Sequence, residues 1–588
     1  MPILSKPSLT GALSFALSAA AMTTALTPAL SLADKAPKKP NIVVILADDL
    51  GYSDLKSYGS EIDTPNLDQL AQEGLSFSNY HTSASCAPTR AMLLSGVDSH
   101  RAGVANIAEA KTESQANSPF YNGTLNQNVV TIASLLKDQG YHTYMAGKWH
   151  LGYKDEALRP INRGFEQTVM MPYSGADNWQ QRSYLPNYPE AEWFANGKNI
   201  TLPDDFYSSK YIVDKSIEFI DSNKDDDKPF FSYVAFQAVH IPVQAPKEYT
   251  EKYLGKYDGG WGELRKKRQA AVKELGLVPK DAKMMDVATT QDWNALSEED
   301  KKYHSKSMAV YAGMVDSMDA NIGRLVQHLK DIGEYQNTIF IFTSDNGGEA
   351  SDPGSMSPLF PVWLSMEDYN QDYETLGEKE SYNYIGASFA SAVVGPLGHY
   401  KFYSGEGGLR VPMIITGPAL DESLKGTWND SFTYVKDLAP TILQLTNTLH
   451  PGTQYKGKTV EPMTGKSLLP IVKAQSESVY GPKDNIAYEI GGNAALFQGD
   501  YKIMLNRPKL GDGQWHMYNI VTDPGETQDL REEKPELFKE LKLAYAQYEK
   551  DNGVLPVPSD YDQRRQVIDN AIQVRVIKPI KEFFGSIF

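Results

Sequence analysis

One thiol is present in 588 residues, Cys86, within Cys86-Ala87-Pro88-Thr89-Arg90. Pro88 suits the first helical position, where its missing N–H costs nothing. Thr89 to Ser95 then reads as an apolar helix stopped by Gly96. Cys86 is thereby expected at a helix N-terminus, where backbone N–H groups and the dipole favour an anion. Arg90, one turn on, can direct its fork of donors at the same place. The plain alternative is a small buried thiol, the usual state of a free cysteine. A second set is all oxygen: Asp48 and Asp49 directly follow an apolar run, and Asp345 and Asn346 directly follow another. Such a set suits a hard cation such as calcium, which takes six to eight oxygens. Zinc is disfavoured, since no Cys/His set has its spacing. A third set is basic: Lys148 and His150 after one run, His240 after another, and Lys401 further on. Singly, each has an ordinary explanation, because Asp-Asp and Asp-Asn-Gly are common turns.

The elements that must hold these residues are short apolar runs alternating with helices. Asn41–Ala47, Tyr141–Ala146, Phe230–Phe236, Thr338–Thr343 and Val411–Thr416 read as strands. Thr64-Pro65, Val130 to Lys137 and Ser305 to Ile332 read as helical segments. Charged, helix-prone sequence from Tyr249 to about Lys302 reads as an insertion. This alternation implies an α/β fold with a mostly parallel central sheet flanked by helices. In such sheets, ligands bind beyond the carboxyl ends of the strands, where the three sets cluster. Near Asp484 the rhythm changes to short antiparallel strands, at Ala494–Gln498, Tyr501–Leu505 and His516–Ile520, followed by a helix from Pro535 to Tyr548. We therefore expect an α/β domain over 34–483 and a smaller C-terminal α+β domain over 484–588. The sequence after Val554 carries no readable pattern.

Net charge is −17, which argues against a nucleic-acid partner and requires any anion site to be a local cationic island. Residues 1–33 read as a signal peptide: Lys6, an Ala/Leu/Ser-rich core from Gly11 to Leu30, and Ser31-Leu32-Ala33 as cleavage site. No later stretch of about 20 apolar residues could span a bilayer. A soluble exported protein, periplasmic or secreted, is the expectation, and a lone free thiol is an oddity in an oxidising compartment.

The Cys86–Arg90 stretch, with Leu94-Ser95-Gly96 after it, resembles the signature of the formylglycine-dependent (type I) sulfatases, whose tail usually has Thr for Ser95. Asp48-Asp49-Leu50-Gly51, Gly147-Lys148-Trp149-His150-Leu151-Gly152, His240, Ser344-Asp345-Asn346-Gly347 and Lys401 ahead of Gly407-Gly408-Leu409-Arg410-Val411-Pro412 resemble that family's landmarks in its own order. Asp523-Pro524-Gly525-Glu526 resembles a turn of its C-terminal domain, and the bacterial arylsulfatases are the nearest match. The resemblance implies an alkaline-phosphatase-like fold and hydrolysis of sulfate esters to alcohol or phenol and sulfate. It implies that a maturation enzyme converts Cys86 to formylglycine, whose hydrate is the nucleophile. It implies one calcium ion held by Asp48, Asp49, Asp345 and Asn346 together with residue 86. Lys148, Lys401 and His240 would bind a small-molecule sulfate ester and Arg90 would hold the nucleophile. His240 would protonate the leaving group, and His150 would drive sulfate off the nucleophile. A phosphonate or phosphate ester hydrolase on the same scaffold is the nearest alternative. A non-catalytic binder of sulfated ligands, with Cys86 unmodified, is another. His142 reads as structural, His399 is left undecided, and the Tyr/Ser/Gly-rich stretch 351–400 is expected to help wall the pocket.

Overall fold

A strand covered by helices on both faces has no polar side, and Asn41–Ala47 (β1) is such a strand, buried along its whole length. The computed structural model describes residues 38–574 apart from 189, 353, 355 and 356; the expected signal peptide lies outside the described residues. β1 sits inside a ten-stranded sheet. On one side follow β8 (Thr338–Ser344), β9 (Met413–Thr416), β2 (Leu75–Phe77) and β10 (Thr427–Asn429). On the other follow β7 (Phe230–Ala235), β3 (His142–Lys148), β4 (Gln167–Met171), β5 (Trp193–Ala195) and β6 (Lys198–Ile200). The core β8-β1-β7-β3-β4 is parallel throughout. β9 and β5 run against their neighbours, so the sheet is mostly parallel.

The cysteine helix, α1 (Cys86–Ser95), begins at Cys86, with Ser85 as N-cap, two residues earlier than Pro88 suggests. Pro88 still lies in the first turn, where no N–H is required. Gly96 ends the helix at φ 67°, donating its N–H to the Met92 carbonyl. All ten residues are buried, which explains why no amphipathic stripe marks this helix. The long helix α2 (Glu298–Asp331) starts seven residues before Ser305, capped by Ser297 on the Asp300 N–H. Its first turn carries Glu298, Glu299 and Asp300, favourable at a helix N-terminus but silent in apolar periodicity.

The C-terminal sheet has four antiparallel strands, β11 (Asn485–Ile490), β12 (Asn493–Gln498), β13 (Tyr501–Leu505) and β14 (Trp515–Asn519). Alternation gives it two apolar faces. Ala494, Leu496, Ile503 and Met517 pack on α3 (Pro535–Asn552) through Leu541 and Tyr545. Ile486, Tyr488, Ala495 and Phe497 join the core of the large sheet. Buried charge also ties the C-terminal sheet to the segments packed against it: Lys502 of β13 donates to Glu406 at 2.9 Å and Glu526 at 2.6 Å, and Glu406 meets His81 at 2.9 Å. From Lys39 on, the described residues form one compact unit. The sequence after Val554 contains a further helix, α4 (Gln563–Ile572), capped by Asp562.

Candidate active site

Register builds the site. Ala47 of β1 pairs with Ser344 of β8, so Asp48-Asp49 and Asp345-Asn346 leave the sheet side by side. Ala235 and Gly147 end their pairing one strand further on, so His240 and Lys148-His150 emerge at the same edge. Asp49 and His150 adopt φ of 64° and 55°, a region non-glycine residues rarely enter and which clusters at functional sites. The Asp49 N–H donates to Asp345 Oδ1 at 3.2 Å, and Asn346 Nδ2 donates to Asp49 Oδ1 at 2.7 Å. Arg90 spends its donors inward: Nε and Nη2 reach Asp345 Oδ2 at 2.9 and 2.7 Å, and Nη1 reaches the Lys148 carbonyl at 2.8 Å. Lys148 Nζ donates to Asp48 Oδ2 at 2.6 Å. Lys401 Nζ bridges Asp49 Oδ1 and Glu349 Oε2, each at 2.8 Å.

Three buried carboxylates in contact are costly unless cations offset them. Asp345 is held below the ordinary carboxylate range because Arg90, Lys148 and Lys401 outweigh its burial. Asp48 and Asp49 are less well compensated, and burial pushes them up to about 8 and about 6. Asp48 Oδ1 and Asn346 Oδ1 are buried oxygens with no hydrogen-bond donor. Ligand atoms of Asp48, Asp49, Asp345 and Cys86 lie within 4.8 Å of one another. Orphaned oxygens beside under-compensated carboxylates are what a hard cation would satisfy, so the residues present fit one.

Cys86 lies above this cradle, 2% exposed, with Sγ 3.8 Å from Asp49 Oδ1. Burial pushes its thiol well above the ordinary range, so the unmodified side chain is a poor nucleophile. It lines a pocket together with Ser85, His150, His240 and Lys401. His240 has Nδ1 against the Ile241 carbonyl and Nε2 3.7 Å from Asp49 Oδ2. Its pKa is driven well down by burial, Lys401 and Lys148. His150 Nε2 lies 3.5 Å from Glu109 Oε2; burial depresses this ring too, with Glu109 opposing. Arg90 and Lys148 are not among the pocket's lining residues and sit below it, on the carboxylates.

Sequence reasoning missed three charged residues here. Glu349 follows Asp345 by four positions, and Lys401 holds it down to about 2 against its burial. Glu109, which also accepts from the Tyr188 hydroxyl, comes from a single 3-10 turn, Ala108–Ala110, with no motif around it. Arg564 comes from α4, where the sequence offered no pattern. His142 lies at the opposite end of β3, bonded to Glu166 and Asp226 at 2.9 and 2.8 Å. His399 is buried beside Tyr403 at φ 63°, and burial lowers it to about 3. Of residues 351–400, Ser351 alone lines the pocket among the described residues. The expected wall is built instead by Ile107, Tyr184, Leu185, Ile241, Phe402 and Val567.

The family model described as Sulfatase matches residues 40–448. An uncharacterized sulfatase of Schizosaccharomyces pombe is 36% identical over 543 residues, covering 89% of this chain and 96% of its own. An arylsulfatase of Klebsiella aerogenes is 34% identical over 444 residues, covering 75% of this chain and 94% of its own. The crystal structure of Ps i-CgsB superposes with a TM-score of 0.62 at 24% identity, covering 92% of this chain and all of that one. No helix among the described residues is long and apolar enough to cross a membrane. The chain thus belongs to the sulfatase family and is a sulfuric ester hydrolase.

Proposed function

We propose that the protein hydrolyses aryl sulfates to phenol and sulfate, using formylglycine made from Cys86 and one calcium ion. The observation that carries this is the placement of Cys86, at the pocket floor over an all-oxygen cradle with Lys401 and two histidines around it. Asp48, Asp49, Asp345 and Asn346 would hold calcium, with residue 86 completing the set. Bound there, calcium supplies charge to the ester's sulfuryl oxygens and acidifies the hydroxyl of the hydrated aldehyde. Arg90 acts through Asp345, fixing that carboxylate in two hydrogen bonds. Lys401 presents its ammonium to the sulfuryl group and stabilises charge that grows in the transition state. Lys148 lies behind Asp48 and adds its charge from there. His240, its Nδ1 fixed on the Ile241 carbonyl, lines the pocket and would protonate the departing oxygen once the bound anionic ester offsets Lys401 and Lys148 and lets the ring take up a proton. His150, beside Glu109, takes the proton whose loss releases sulfate. The apolar walls favour an aromatic alcohol, in line with the name of the Klebsiella relative. We place the catalytic domain at 34–483, with 484–588 completing it. A formylglycine-generating enzyme would be a partner, and the periplasm or exterior the location, through residues 1–33.

Mass analysis tests the central step. The tryptic peptide containing residue 86 should be lighter than its thiol form by roughly 18 Da. Cys86→Ala should lose aryl sulfate turnover. An active preparation whose peptide carries only intact thiol removes this reading.

A further inference from the structure

Three cations beneath or beside the reaction centre are already engaged by carboxylates. Arg90 is on Asp345, Lys148 on Asp48, and Lys401 on Asp49 and Glu349. Arg564 differs. It enters the same pocket from α4, and its Nε and Nη2 are buried with no hydrogen-bond partner. The two carboxylates whose charge it feels, Glu349 and Asp562, are committed elsewhere. Glu349 accepts from Lys401 at 2.8 Å and from the Ser351 N–H at 2.6 Å. Asp562 caps α4 on the Arg565 N–H at 2.8 Å and pairs with Lys509 at 3.1 Å. The guanidinium is held in place by aromatic faces, 5.5 Å from the Tyr400 ring centre, 5.9 Å from Tyr403 and 6.0 Å from Phe402. A buried guanidinium with idle donors costs stability unless something meets it, and its planar fork matches carboxylates and sulfates.

We propose that Arg564 is the recognition site for a second anionic group, a carboxylate or a further sulfate, carried by the alcohol portion of the substrate. The inference rests on the sulfate-ester reading and narrows its substrate class. The body between the two anionic groups meets Ile107, Leu185, Phe402 and Val567, so it is a flat, largely apolar one. A net charge of −17 gives such a dianion no general attraction, so the local, unspent cation decides.

The test uses matched pairs: carboxyphenyl and carboxymethylphenyl sulfates against their methyl esters, and a catechol disulfate against the monosulfate. Charge-assisted hydrogen bonds predict that kcat/KM favours the anionic member of at least one pair by about 10–100-fold. Arg564→Gln should cut that ratio at least about ten-fold, Arg564→Lys should keep part of it, and Arg564→Glu should push it below one. The carboxylate and disulfate pairs distinguish which anion is meant. Calorimetric binding of the same pairs to the Cys86→Ala protein gives the contrast without turnover and without altering Arg564. Absence of turnover on every ester would therefore sink the sulfate-ester reading while the binding ratio still judges Arg564. A ratio near one across all pairs in the otherwise unaltered pocket, or a ratio indifferent to Arg564→Glu, overturns the proposal.

Discussion

At the scale of single residues, the two histidines can be separated because they face different partners. His240→Ala should hurt alkyl sulfates most, whose leaving groups need a proton, and activated aryl sulfates least. His150→Ala should slow release of sulfate whatever the alcohol, seen as a burst of phenol followed by slow turnover. Contributions of about 10²–10⁴-fold are usual for such groups. The roles are reversed if the His150 variant shows the steep leaving-group dependence. Asp345 is a poor residue for isolating the metal, because it also anchors Arg90. Asp345→Ala should lose cation and activity together and also destabilise the fold by about 3–5 kcal/mol, having left a buried guanidinium unpaired. Asn346→Ala removes one oxygen and leaves Arg90 bound. It should weaken calcium binding at a smaller cost in stability than Asp345→Ala, about 1–3 kcal/mol, because Asp49 Oδ1 loses one donor. Elemental analysis of active protein that finds no stoichiometric divalent cation would contradict the assignment.

At the scale of elements, close backbone approach places the loops. A Cβ on Gly347 would lie 1.8 Å from the Gly407 carbonyl oxygen, and the Gly347 N–H bonds the Gly408 carbonyl at 3.1 Å. Gly347→Ala should push the Asp345-Asn346 turn off the 405–408 turn, costing about 1–3 kcal/mol and lowering kcat. A denaturation midpoint equal to that of the parent protein would refute this packing argument. Elements of this kind were legible in part. The buried strands β1, β7 and β8 announced themselves as unbroken apolar runs, and their polar followers marked the strand ends. Direction was not written there: β9 reads like its neighbours and runs the other way. β11 escaped notice because NIAYEI splits its buried side chains between two cores. Helix α4 escaped because QRRQVIDNAI is mostly polar, with only four of its ten residues buried. Glu109 and Glu349 were invisible for a different reason. A carboxylate in a single 3-10 turn or a loop carries no periodicity, and tertiary packing alone brings it to a histidine or a lysine.

At the scale of the molecule, the C-terminal sheet is bound to the loops beside it by buried charge as well as apolar surface. His100, in the loop after α1, meets Glu489 of β11 at 2.9 Å and Asp98 at 3.7 Å. Burial alone would strip its proton, but these carboxylates hold it up to about 9. A histidine whose folded pKa exceeds its unfolded value of about 6.5 stabilises fully below that pH and loses the effect as pH rises through the folded value. Stability should therefore decline between about pH 6.5 and 9, and His100→Gln should flatten that decline. A denaturation profile as steep in the variant as in the parent would assign the slope to other groups. Finally, the burial of Cys86 sets an order of events. The thiol sits on a helix with no exposed residue, while Arg564 and Val567 are contributed from near the other end of the chain. Synthesis delivers Cys86 nearly 480 residues before Arg564, about 25–95 s at ordinary elongation rates. If Cys86 is converted to formylglycine as proposed, a maturation enzyme has to reach the sulfur before this buried helix is enclosed, so the conversion would precede folding around α1 and the docking of α4.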